Sequence, residues 1–251
     1  DFEGFDEVEK KWMEGVEYLR RFHIVDSEHE VNKLLRDSKS ILCEGAQGTM
    51  LDIDYGTYPY VTSSNPGANG VPSGASIGPL YLTDVVGVIK AYTTRVGSGA
   101  FPTEIEGELA DYIRTAGNEF GTVTKRPRRI GWFDAVVVNQ SRRMASLTGC
   151  SLMLLDVLTG LDTIKICTAY MLDGKEIHGL PSTIEELERV EPVYVELPGW
   201  KEDITNVTSF EELPVNAQNY IKKIEELIHC PVIMFSVGPD RTQTIVLKDV
   251  F

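Results

Sequence analysis

The residues best equipped for chemistry are Lys125-Arg126-Pro127-Arg128-Arg129, four cations in five positions. Guanidinium forks clasp carboxylates and phosphates through paired hydrogen bonds. The run lies between Gly121 and Gly131-Trp132, reads as a loop, and is preceded by Thr122, Val123 and Thr124, two of them hydroxyl donors. The chain as a whole is acidic, with a formal net charge of -14. Most of its surface therefore repels nucleic acid and anionic membranes, and a cationic loop suits a small anionic substrate better. On composition alone, a solvated charged face is the simpler account.

Three further segments concentrate polar groups. In Glu44 to Asn65 the amide of Gln47 sits in a Gly-flanked turn, and Thr62, Ser63, Ser64 and Asn65 crowd donors together as a phosphate or ribose site would. Ordinary capped turns use the same residue types. Asp52 and Asp54 fall on one face of an extended segment, which fits a metal or acid/base pair and equally well buried structural carboxylates. Leu154-Leu155-Asp156 closes an apolar run. A carboxylate there can accept from N1 and the exocyclic amine of guanine, a donor pair adenine lacks; many such aspartates merely cap the next helix. Ser236-Val237-Gly238-Pro239-Asp240-Arg241 reads as a strand and a tight turn, either closing over a flat base or simply turning.

These segments need elements to hold them. Phe5, Val8, Trp12, Val16 and Leu19 recur at helical spacing, and a second short helix fits Glu30 to Arg36. Ile41 to Glu44 reads as a buried strand. Tyr55 to Pro79 is a long turn-rich segment, of the kind that is usually functional inside a domain. Val85 to Tyr92 is strand or helix. Glu104 to Thr115, Phe133 to Leu147 and Asn216 to Ile228 fit helices, and Ser182 with Glu185 forms a capping box. Strands fit Ser151 to Leu155, Ile164 to Tyr170, Pro192 to Leu197, Val232 to Ser236 and Thr242 to Leu247. Alternation of the two types predicts an α/β protein with a mostly parallel central sheet flanked by helices, in one domain over residues 1–251.

At 251 residues, 42% hydrophobic, the chain can bury a core without disulfides or structural metal. No apolar run reaches the roughly 20 residues of a membrane span. Cys43, Cys150, Cys167 and Cys230 are widely spaced and read as buried free thiols of a reducing cytoplasm. The four histidines have no metal-like spacing. The chain opens on Asp1 without an initiator Met, as a sequence starting inside a longer chain would.

Taken together, EGAQGTMLDIDYGTYPYVTSSN, KAYTTRVGSGAFPTE, GWFDAVVV, LDVLTGL, ELPGWKEDIT and SVGPDR resemble the strings of the adenylosuccinate synthetase family, in order and over nearly the whole chain. The resemblance implies that family's P-loop-NTPase-like fold, N-terminally incomplete here. It implies ligation of L-aspartate to IMP: GTP phosphorylates the 6-oxygen of IMP and the amine of aspartate displaces the phosphate, with Mg2+ on the GTP phosphates. By residue matching, Gln47, Thr62 and Arg126 contact IMP. Thr122, Val123, Thr124, Lys125, Arg126, Pro127 and Arg128 form the aspartate-binding loop. Arg128, Leu154, Leu155, Asp156, Ser236, Val237 and Gly238 contact GTP. A cytoplasmic homodimer is implied, in which one subunit lends the other an Arg from the upstream part.

This sequence departs from the family at several places. Lys125 stands where the loop usually has Gly, Asn69 and Ser76 replace usual glycines, and Leu154 stands where many members have Lys. The Gly-rich phosphate loop, the catalytic Asp and His, and the Mg2+ ligands have no match in these 251 residues. The rival expectations are a non-catalytic nucleotide-binding homologue or fragment and, more weakly, an unrelated α/β phosphotransferase.

Overall fold

The computed structural model describes residues 3–121 and 125–249, so the loop residues Thr122, Val123 and Thr124 lie outside the described part. Its contacts gather into two compact units. Residues up to Glu44 form the first together with Val71–Tyr81. It holds α1 (Phe5–Leu19), α2 (Ser27–Arg36) and the short α3 (Val71–Ala75). The amphipathic stripe of α1 leaves Phe5, Val8, Trp12 and Leu19 exposed. α2 starts at Ser27, three residues before the predicted Glu30. It is tied towards α3 by Asn32, whose Nδ2 donates to the carbonyl of Ser76 at 3.0 Å. The strand expected at Ile41 to Glu44 is not formed, and Leu42 is 77% exposed. A strand needs a neighbour to take its N–H and C=O groups, and none of the described strands pairs with this segment.

The second unit comprises Gly45–Gly70 and the chain from Leu82. Its strands and helices run β1 (Val86–Lys90), β2 (Thr93–Arg95), β3 (Glu104–Ile105), α4 (Glu108–Ala116), β4 (Arg129–Gly131), β5 (Phe133–Asp134), α5 (Ala135–Ala145), β6 (Gly149–Met153), β7 (Thr163–Leu172), β8 (Lys175–Ile177), α6 (Ile184–Leu187), β9 (Glu191–Pro198), α7 (Val215–Ile228), β10 (Val232–Ser236) and β11 (Thr244–Val246). The central sheet has the order β1-β6-β10-β11, parallel except for the last pair. Beside it lie the antiparallel β2-β4-β3 and a sheet in which β7 pairs β5 in parallel and β8 and β9 antiparallel. The α/β expectation with a parallel sheet and flanking helices holds.

Several predicted boundaries move for local reasons. The helix expected from Glu104 is first strand β3; Gly107, at φ 75°, breaks the chain before α4 begins. The helix expected from Phe133 is first strand β5, and Asp134 then caps α5. The cap of α6 is Thr183 rather than Ser182, its hydroxyl accepting from Glu186 N–H at 3.3 Å. Cys43 is exposed, whereas the other three thiols are buried. α7 turns Ala217, Tyr220, Ile221, Ile224 and Ile228 onto the core, the i, i+3, i+4 stripe of an amphipathic helix. There the buried Tyr220 hydroxyl donates to the carbonyl of Ala91 at 2.6 Å, fixing the turn after β1.

Two buried aspartates hold the segments that matter for function. Asp52 is wholly buried and organises residues 49–70. Its carboxylate accepts from the N–H groups of Asp54 (2.9 Å) and Tyr55 (3.1 Å) and from the side-chain amides of Asn65 (3.2 Å) and Asn69 (3.3 Å). Burial pushes its pKa up, but these donors together outweigh burial and hold it below the ordinary aspartate range. Of the open alternatives for Asp52, the structural carboxylate is therefore the one formed. Asp134 caps α5, accepting from Val136 N–H (3.0 Å) and Val137 N–H (3.1 Å), and receives the Tyr170 hydroxyl on its other oxygen. Here burial outweighs the donors and raises the pKa to about 6.

Two outcomes follow. Asp52→Ala takes the shared acceptor from four donors, of which the Asn65 amide keeps Asp54 (2.8 Å), and costs about 2 kcal/mol or more. It lowers the urea midpoint and speeds amide exchange at Asp54 and Tyr55; unchanged exchange there would show that Asp52 does not hold the segment. For Asp134 the folded pKa lies above the unfolded one, so the folded chain binds the extra proton between about pH 4 and 6. Stability from this group is complete below that window, falls through it, and is constant above. Asp134→Asn, which keeps a neutral acceptor for the cap, gains on the parent by roughly 2–3 kcal/mol from pH 4 to pH 7. Parallel urea-stability curves for the two proteins over that range would refute the assignment.

Candidate functional site

The site begins where the parallel strands end, the usual ligand position in such sheets. Register places Lys90 of β1 against Met153 of β6, and Leu152 of β6 against Phe235 of β10. The residues that follow are thereby brought side by side: Ala91-Tyr92, Leu154–Asp156 and Ser236–Gly238. Ser236 joins the last two, its hydroxyl accepting Leu154 N–H at 2.9 Å and its carbonyl accepting Leu155 N–H at 3.3 Å. Leu154 takes φ 63°, a left-handed conformation that costs a branched residue about 1–2 kcal/mol. The turn after β10 is drawn in by Gln243; a Cβ on Gly238 would fall 2.3 Å from the Gln243 Oε1.

Asp156 opens a short 3-10 turn at this edge. Its Oδ1 is buried, and among the described residues nothing donates to it. Burial raises its pKa; the residue's own N–H pulls the other way, and the charge of Asp203 adds to the rise. A buried acceptor without a donor is costly, and native proteins keep few of them. Leu154, Leu155, Asp156, Ser236, Val237 and Gly238, expected to serve one ligand, do come together.

The cationic run meets the same edge through a residue that sequence reasoning passed over. Glu119 is 1% exposed. Its Oε1 accepts from Lys90 Nζ (2.6 Å) and the Tyr92 hydroxyl (2.7 Å), and its Oε2 from Arg128 Nη1 (2.6 Å). Burial raises the carboxyl pKa, but the three donors bring it below the ordinary glutamate value. Lys90 is also shifted down, first by burial and then by Arg128, although Glu119 pulls it the other way. One carboxylate faces two cations, so the cluster keeps about one excess positive charge. The charge of Asp156 reaches Tyr92 as well, so the two clusters are electrostatic neighbours.

The main chain around Glu119 forms the neck of a hairpin. Arg128 N–H donates to Glu119 O (2.9 Å), Gly121 N–H to Arg126 O (2.8 Å), and Lys125 N–H to Gly121 O (2.8 Å), with Phe120 and Pro127 paired between. Arg114 Nε holds the Arg128 carbonyl at 2.9 Å. Asn118, Phe120, Lys125 and Arg128 line a cleft of about 340 Å³. The run is thus not one uniform loop: Arg129 already belongs to β4 and pairs with Glu104. Lys125 adopts φ 54°, and so does Ser76. Of the three positions expected to carry glycine, Lys125 and Ser76 are therefore left-handed and Asn69 is not.

Gln47 and Thr62 lie on the 45–70 segment. Gln47 is exposed with φ 71°, and Thr62 N–H donates to Leu51 O at 2.7 Å. Arg95 fastens that segment by donating from Nη1 (3.2 Å) and Nη2 (3.1 Å) to the Thr57 hydroxyl. Arg95 is the register partner of Arg129, the residue after Arg128. No described hydrogen bond joins Gln47 or Thr62 directly to the Glu119 or Asp156 clusters. A sequence signal for Glu119 existed: it is the lone acid just before the cationic run.

For a divalent cation the described residues offer little. Asp52 spends its oxygens on N–H donors, and the one grouping of three potential ligand residues, Asp26, Glu28 and His29, is fully exposed. These residues do not build a magnesium site. No helix among the described residues is long and apolar enough to cross a membrane.

Comparison with known proteins gives this geometry a family. A model of the adenylosuccinate synthetase family matches residues 2–245. Adenylosuccinate synthetase of Limosilactobacillus reuteri is 54% identical over 246 residues, 98% of this chain and 57% of that protein. That of Listeria monocytogenes serovar 1/2a is 55% identical over 253 residues, 100% of this chain and 59% of the relative. The chain therefore spans under three fifths of the length of these curated relatives. Among solved structures, the fully ligated adenylosuccinate synthetase of Plasmodium falciparum superposes with a TM-score of 0.92 at 41% identity, over 99% of this chain and 59% of that one. Succinoaminodeoxyadenylate synthetase of cyanophage S-2L, at 19% identity and a TM-score of 0.56, shares the fold alone. With the family matched almost from end to end and relatives more than half identical throughout, this chain belongs to the adenylosuccinate synthetase family.

Proposed function

We propose that this chain supplies the guanine, aspartate and part of the IMP contacts of a GTP-dependent ligase. The ligase joins L-aspartate to IMP through a 6-phosphoryl intermediate and yields adenylosuccinate, a step of AMP biosynthesis. The observation that carries the reading is the buried, unpartnered Oδ1 of Asp156 at the joined ends of β6 and β10. A guanine edge brings a pair of donors, one of them for this oxygen; adenine does not. Family membership supports the rest.

In this reading Leu154, Leu155, Ser236, Val237 and Gly238 enclose the base. Arg126 and Arg128 meet the carboxylates of aspartate and the anionic groups of the nucleotides, and Gln47 and Thr62 meet IMP. Magnesium, when bound, neutralises the phosphates; its ligands, the general base and the catalytic His are assigned to the part of the relatives that this chain does not span. The whole chain is one piece of a single synthetase domain, and the working enzyme is a cytoplasmic homodimer.

The test uses a protein completed to the length of the relatives, supplied with IMP, aspartate, magnesium and either GTP or XTP, with adenylosuccinate followed by absorbance. The parent makes product with GTP. In Asp156→Asn the amide oxygen accepts from N1–H and the amide NH2 donates to the 2-oxo group of xanthine. The preference for GTP over XTP then falls by about a hundredfold or more. An undiminished preference removes Asp156 from base recognition, and a parent without product removes the ligase reading.

A further inference from the structure

We propose that Glu119 is a positioning residue of this site: its buried carboxylate sets Arg128, and with it the neck of the cationic hairpin, in the orientation that receives the substrate anion. The inference rests on the ligase reading for the identity of that anion. Glu119 itself is 1% exposed, so substrate does not reach it, and it acts through its partners.

The grip on Arg128 is threefold. Glu119 holds the guanidinium through Nη1 (2.6 Å), its carbonyl takes the Arg128 N–H (2.9 Å), and Arg114 holds the Arg128 carbonyl (2.9 Å). Main chain and side chain are thus fixed by the same residue. A guanidinium has five donors in a rigid plane, so a carboxylate on one nitrogen orients the rest without consuming them. Lys90 and Tyr92 fill the other oxygen, which keeps Glu119 from turning to a different partner. Two cations on one carboxylate also leave net positive charge beside the cleft lined by Asn118, Phe120, Lys125 and Arg128. A device for holding Arg128 away from substrate would need to neutralise it; this cluster does not.

Glu119→Gln keeps the shape and one acceptor but removes the charge. In the completed enzyme it raises KM for aspartate or for GTP by about tenfold or more, the loss expected for a charge-assisted hydrogen bond, while kcat changes less. In a double-mutant cycle it adds no more than about twofold to Arg128→Ala, because the two act as one unit. KM unchanged within about twofold, KM lowered, or a full effect retained on the Arg128→Ala background each overturns the proposal. If Glu119→Gln does not fold, Glu119→Asp, which keeps the charge but withdraws it, is read in the same cycle. If the parent makes no adenylosuccinate, the ligase reading fails separately, and amide exchange at Gly121 and Arg128 decides the positioning role. Faster exchange at both in Glu119→Gln supports it, and parent-like exchange overturns it.

Discussion

Taking the carboxylate of Glu119 out of water is costly, and the fold offsets that cost only by bringing Lys90, Tyr92 and Arg128 to it. Those three come from the end of the central sheet and from the far side of the hairpin neck. One buried ion therefore couples the parallel sheet to the cationic run, which nothing in the local sequence would otherwise place there. The sheet supplies rigidity: β1, β6 and β10 are in register, and Tyr220 of α7 fixes the turn after β1 from below. The loop supplies charge. Glu119 is where the two meet, which is why a residue with no motif around it carries so much of the arrangement.

Three candidate contact residues also carry backbone strain, although left-handed residues occur elsewhere in the chain as well. Gln47, Lys125 and Leu154, each a candidate ligand contact, adopt φ of 71°, 54° and 63°. L-residues rarely take this region without compensation, and such positions concentrate at functional sites. For Leu154 the compensation is visible, since Ser236 takes the N–H groups of Leu154 and Leu155. For Lys125 it is the hydrogen bond of its own N–H to Gly121 O across the neck. Lys125 therefore holds a backbone conformation that glycine reaches freely while placing a cation in the cleft.

Much of this was legible from residues alone. Periodicity found α1 and α7 within a residue or so, and the apolar runs found β6, β9 and β10; for α7, β6 and β10 burial imposes the pattern directly, whereas the apolar stripe of α1 stays exposed. The joint placement of Leu154–Asp156 and Ser236–Gly238 was implied by the family resemblance rather than by the residues alone; in the structure the two segments follow paired parallel strands. What failed was of two kinds. Phe133-Asp134 and Glu104-Ile105 are two-residue strands attached to helices, too short to show a period of their own. Ile41 to Glu44 has a strand's composition but no neighbour among the described strands, so composition predicted burial that pairing does not deliver. Glu119 was missed for a different reason: its role depends on contacts 29 and 9 residues away, to Lys90 and Arg128, and no local spacing encodes them.

The distribution of charge over the second unit has a direction. Lys90 and Arg128 exceed Glu119 by one positive charge, and Arg129 is matched by Glu104. Arg95 is anchored to a hydroxyl and a carbonyl rather than a carboxylate, and burial with the nearby Arg129 lowers its pKa. The hairpin side is therefore positive. At the ends of β6 and β10 the balance reverses: Asp156 is a carboxylate with a buried oxygen and, among the described residues, no ion-pair partner, and Asp203 adds to its repulsion. Tyr92 lies between and senses both, its hydroxyl pKa raised by burial, Glu119 and Asp156 and lowered by Arg128. A molecule with an anionic end and a flat end that donates hydrogen bonds is favoured in one orientation across this field and opposed in the other, before any shape complementarity is considered.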